Sequence, residues 1–152
     1  MQNVHPLFVH LPLALFPLAF IFQAVAFIGR RHEAQPFASM FLYLGALSAI
    51  PAAVTGWLAE EQVEELPGFT HAMHEVVETH ATLMYVVLGL GLALALLAFW
   101  RRRRMTRALQ AVLVVGLFVL MMVMGVGADR GGQLVFQYGV GGQRMGEPAA
   151  SP

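Results

Sequence analysis

The chain has 152 residues, 58% of them hydrophobic and 12% charged, and its nine arginines balance nine acids to a net charge of zero. So apolar a composition exceeds what a soluble domain of this length buries, and balanced charge gives a nucleic-acid partner no electrostatic basis. Cysteine is absent, which excludes disulfides, thiolate metal sites, covalent c-type haem attachment and cysteine nucleophiles, so histidine, carboxylate or methionine would have to hold any metal or haem.

The first apolar stretch covers about residues 7–29 and ends at Arg30, Arg31 and His32, the last read as solvated sequence at headgroup level. Pro12 and Pro17 are predicted to kink it, because each removes a backbone hydrogen bond. The second stretch, about 37–57, carries Pro51 near its end; the third, about 81–100, runs into Arg101, Arg102, Arg103 and Arg104; the fourth, about 108–128, follows Arg107. Each is near the roughly twenty residues that cross a hydrocarbon core of about 30 Å. The predicted fold is therefore all-α: an integral membrane four-helix bundle over residues 1–142, with a disordered tail over 143–152. Residues 131–142, β-rich between glycines, are expected to form a short extended segment that folds back over the bundle end.

Arginines set the predicted topology. No positive charge precedes the first apolar run, so a cleaved signal peptide is not expected. The basic first and third loops are cytoplasmic by the positive-inside rule, which puts both termini outside. The second loop, with Glu60, Glu61, Glu64, Glu65, Glu75 and Glu78, then faces the periplasm or cell exterior. Trp57 and Trp100 fall at opposite interfaces as anchors.

Depth follows from the same belt. His10 lies 20 residues before Arg30 (30 − 10) and His80 lies 21 before Arg101 (101 − 80), which places both near the outer edge of the bilayer. Thr55, Gly56 and Asp129 fall near that plane, with His5, His71 and His74 just above it. His10 to Gly56 is 46 residues and His80 to Gly127 is 47 (56 − 10 and 127 − 80), which suggests two similar hairpins and sets His10 opposite His80.

Histidines at a membrane boundary pair, line wet space or bind something, and three readings stay open. In the first, His10 and His80 hold a b-type haem axially for electron transfer, with His5, His71 or His74 as substitutes or a second pair. In the second, His71, His74, Glu75 and Glu78, which share a helical face, bind or help transport a copper, zinc or iron ion. The inner halves of the helices carry no polar relay, so a substrate ion would have nothing to bind midway, which argues against transport. In the third, the histidines are hydrogen-bonded at the interface of a non-catalytic scaffold or complex subunit, with no cofactor. Met121, Met122 and Met124 read as packing. No hydrolytic or transferase motif is present; Glu78 stands where a zinc protease's second histidine would be.

Val4-His5-Pro6-Leu7-Phe8-Val9-His10-Leu11-Pro12-Leu13-Ala14-Leu15 resembles the opening H-P-x-x-V-H-F-P-I-A-L of the bacterial domain-of-unknown-function 2231 membrane proteins. Gly131-Gly132-x-Leu134-Val135-Phe136-x-x-Gly139-Val140-Gly141 resembles that family's closing G-G-x-L-V-Y-x-x-G-V-G, with Phe136 in place of the usual tyrosine. The resemblance implies a four-helix protein of the bacterial inner membrane. Some members are joined to c-type cytochrome modules, which implies a periplasmic electron-transfer protein or c-type cytochrome as partner, beside lipid; self-association stays open.

Overall fold

A computed structural model describes residues 5–65 and 68–140. Four helices fill them: α1 His5–Ile28, α2 Gln35–Glu64, α3 His71–Arg101 and α4 Arg107–Phe136, with a 3-10 turn His32–Ala34 before α2. All four are long and apolar enough to cross a membrane. Proline begins α2 at Pro36, where its missing N–H costs nothing, and Thr70 and Thr106 cap α3 and α4 by accepting from the amides of Met73 and Leu109, each at 3.3 Å.

These helices outrun their apolar stretches. At 1.5 Å per residue, the 30 residues of α2 and of α4 reach about 45 Å, well beyond a hydrocarbon core. The excess lies at the histidine end, where Val63, Met73, Val77, Leu134 and Val140 form a small second core. Residues 131–136, expected to be extended, are the last turns of α4, and no strand occurs among the described residues. Val140 then folds back, its amide bonded to the Leu134 carbonyl at 2.9 Å. Packing of Leu134 and Val140 into the second core overrides the local β propensity. The tail expected over 143–152 lies outside the described residues.

Neighbours in sequence pack side by side, and α1 closes against α4, so α1 and α3 lie diagonally across the bundle, as do α2 and α4. Phe16, fully buried, fills the centre from α1. A Cβ at Gly91 of α3 would come within 2.7 Å of its ring, and one at Gly45 of α2 within 3.1 Å. Two glycines thus make room for one aromatic ring, in the small-residue packing that bilayers favour. Phe22 meets Phe37 at 5.5 Å and Phe20 meets Phe118 at 6.1 Å, which extends the contacts to the α1–α2 and α1–α4 interfaces.

The two hairpins repeat with a shift of 75 residues. Buried Pro12, Phe16, Ala19 and Gln23 of α1 match buried Val87, Gly91, Leu94 and Ala98 of α3 (87 − 12 = 75, and likewise for the rest). Buried Ala38, Leu42, Gly45, Ala49 and Ala52 of α2 match Leu113, Leu117, Leu120, Met124 and Gly127 of α4 (113 − 38 = 75). The chemical types differ, but the buried positions coincide. This shift pairs His5 with His80 and displaces the expected pairing of His10 with His80.

Candidate functional site

At the histidine end the first residue of α1 and the tenth of α3 point inward. Nδ1 of His80 donates to the Gly127 carbonyl of α4 at 2.7 Å. Nδ1 of His5 lies 3.2 Å from Oγ1 of Thr55 on α2, and the backbone of Ala52 is also its hydrogen-bond partner. Thr55 spends its proton on the carbonyls of Pro51 (2.8 Å) and Ala52 (3.1 Å), so toward His5 the hydroxyl accepts. The carbonyl partner fixes the proton of neutral His80 on Nδ1.

Glycine lets each ring lie against the neighbouring helix. A Cβ at Gly56 would stand 3.0 Å from Cε1 of His5, and one at Gly131 would stand 2.9 Å from Cε1 of His80. The partners repeat with the rings: Ala52 with Gly127, and Gly56 with Gly131, each pair again 75 apart (127 − 52 and 131 − 56). The two imidazoles, from diagonal helices, lie within electrostatic range of each other. Of the histidines expected at the site, the structure brings His5 and His80 within range of each other.

His10 is exposed, and its Nδ1 turns back onto the carbonyl of Pro6 in its own helix. Five residues at 100° each rotate it about 140° from His5, so the two cannot both face the bundle interior. Depth along the axis was readable from the arginine belt only to about a turn, and this direction was not.

Nor do the ligands expected for a bare ion converge. His71 pairs loosely with Glu75 at 3.5 Å in full exposure, while His74 turns to Glu64 of α2 at 3.1 Å. Glu78 joins neither pair. Among the described residues no three His, Asp or Glu side chains come together as a metal site. His71, His74, Glu75 and Glu78 share a helical face as expected, but that face is the solvated outside of α3. Glu60, absent from the expected site, is half-buried and interacts electrostatically with His80, His74, Glu64 and Glu78. Asp129 is exposed and accepts from Gln133 at 2.9 Å, away from either imidazole.

A second polar layer lies near the arginine end, in the inner helix halves that were expected to carry no polar relay. Gln23 of α1 and Gln35 of α2 exchange amide hydrogen bonds at 2.9 and 3.3 Å, and Gln110 of α4 donates to Gln35 at 2.9 Å. Gln23 and Gln110 are almost wholly buried. Arg107 seals the layer from outside by donating to the Phe27 carbonyl at 3.0 Å. A sequence signal existed: three glutamines at one depth, two of them 75 residues apart (110 − 35), in chains of apolar residues.

Four apolar spans and two polar layers define a polytopic membrane protein of two helical hairpins whose buried positions repeat. The chain belongs to the DUF2231 family of predicted membrane proteins, which matches residues 1–144. No curated protein and no solved structure gives a significant match.

Proposed function

We propose that the histidine end binds a b-type haem between His5 and His80 and serves one-electron transfer at the outer membrane surface. The observation that carries this reading is the donor set: two imidazoles from diagonal helices within electrostatic range of each other, with no cluster of three His, Asp or Glu side chains among the described residues. A structural zinc site takes four protein ligands and a catalytic one three. A porphyrin iron brings four nitrogens of its own and asks the protein for two. The hydrogen bond from Nδ1 of His80 to the Gly127 carbonyl supports it further, since it sets the tautomer that ligates through Nε2, while Thr55 orients His5. Such an iron would supply reversible one-electron chemistry; the chain supplies ring orientation and the apolar shell of the bundle below.

The arginine belt argues that this end faces outward, to the periplasm if the membrane is a bacterial inner membrane. Glu60, Glu61, Glu64 and Glu65 on α2, with Glu75 and Glu78 on α3, would there offer negative charge to a cationic redox partner such as a c-type cytochrome.

Absorption spectroscopy of the full chain, expressed with haem supply and purified in detergent, tests the reading. A Soret band with sharp α and β bands on reduction is expected, lost in His5→Ala and His80→Ala and kept in His10→Ala. A colourless protein, or one whose spectrum depends on His10 instead, ends it.

A further inference from the structure

The arginine end carries charge that the protein does not neutralise. Arg101, Arg102, Arg103, Arg104 and Arg107, with Arg30 and Arg31, face a single acid, Glu33, and among the described residues none of them pairs with a carboxylate. Between α2 and the α3–α4 turn lies a groove of about 430 Å³, lined by His32, Gln35, Ser39, Tyr43, Arg102 and Met105. Gln35, Ser39 and Tyr43 sit at intervals of four along α2 and so form one polar stripe.

Aromatic contacts hold the groove in shape. Tyr43 meets Phe99 of α3 edge-on at 6.2 Å, and the Arg102 guanidinium lies over that same ring, 4.1 Å from its centroid. The Tyr43 and Ser39 hydroxyls are hydrogen-bond partners, and Arg102 is close enough to act on the phenol electrostatically. Stacking leaves the guanidinium edge, with its N–H donors, directed away from the ring face. Nearer the bilayer centre, Met40, Leu44 and Leu47 of α2 and Leu92 and Leu96 of α3 are exposed, three or four residues on from Pro36, Tyr43 and Phe99 and from one another. Trp100 stands beside it, exposed at interfacial depth.

We propose that this groove is a headgroup site for an anionic phospholipid, the phosphate held by Arg102 with the Ser39 and Tyr43 hydroxyls, and the acyl chains laid along α2 and α3. Charge complementarity selects the occupant: one strong cation and neutral donors at headgroup level, above an apolar stripe that only acyl chains cover. A soluble anion would satisfy the donors but not the stripe. The site does not depend on the haem reading, because it lies at the opposite end of the bundle.

Native mass spectrometry of the purified, delipidated full chain tests it, with phosphatidylglycerol and phosphatidylcholine titrated separately. One phosphatidylglycerol should be retained under activation that strips phosphatidylcholine. Arg102→Gln should weaken that retention about fivefold, the effect of one cation near a membrane surface. Tyr43→Phe, which keeps the ring packing, should weaken it by a smaller factor, and Arg104→Gln, outside the lining, should leave it unchanged. Equal retention of the two lipids overturns the site. So does equal weakening by Arg102→Gln and Arg104→Gln, which would mean a diffuse charge layer. Displacement of the lipid by millimolar inorganic phosphate would assign the groove to a free anion and overturn it as well.

Discussion

The glutamine layer near the arginine end and the histidine layer at the other end are both polar insertions in an apolar bundle, yet their side chains are satisfied differently. Gln23, Gln35 and Gln110 bond to one another, so three helices are tied by a network that closes on itself. His5 and His80 bond through Nδ1 to backbone and hydroxyl oxygens of the adjacent helix and lie against glycine. A closed amide network is fully used in holding the fold. An imidazole held by the protein on one nitrogen can ligate through the other, which is why we propose the ligand site at the histidine end.

The comparison can be broken most severely at what lies between the layers. Phe16→Ala would empty the bundle centre and should cost about 3 kcal/mol or more, read as early unfolding in mixed micelles. Both layers should then fail together; a loss confined to one would mean that they fold independently. Next in size, Gln35→Leu strands the amides of Gln23 and Gln110 and should cost about 1 to 2 kcal/mol. Gln23, Gln35 and Gln110 all changed to Leu should recover much of that loss, as expected of a purely structural network. Replacing both His5 and His80 by Leu should cost little stability while abolishing any haem spectrum. Equal destabilisation by the two sets of changes would erase the distinction drawn here.

Smaller effects sharpen it. Thr55→Val removes the oxygen that orients His5 and should weaken haem affinity about tenfold with no change in helix content, read by haem titration. Thr70→Ala and Thr106→Ala each delete a cap and should cost about 1 kcal/mol, a matched pair from the two ends. The Thr70 cap lies next to Phe69 and Met73 of the second core, so its loss should also loosen residues 71–77 to hydrogen exchange.

How far the sequence reaches differs between fold and site. Four apolar runs of bilayer length have one low-energy arrangement, and they were legible because hydropathy is a property of local composition. The helix ends were not, since the continuations from Trp57 to Glu64 and from Asp129 to Phe136 are polar or glycine-rich and are held helical by packing in the second core. His80 was legible by depth. His10 was ranked ahead of His5 because a residue count fixes height but leaves rotation about the helix axis free. The glutamines escaped notice because they carry no charge, so neither the topology rule nor a search for titratable groups registers them.

By itself, then, the sequence determined that this chain has four spans long and apolar enough to cross a membrane, with seven arginines at one end and five histidines and most of the acids at the other. Hydrophobic burial and the cost of placing charge in hydrocarbon act residue by residue and need no partner. Only the tertiary structure decided which faces meet. It brought His5 and His80 together across a diagonal, joined three glutamines from three helices, and revealed the 75-residue shift that relates the hairpins. Those relations depend on angles about helix axes, which ring-into-glycine packing sets and composition does not.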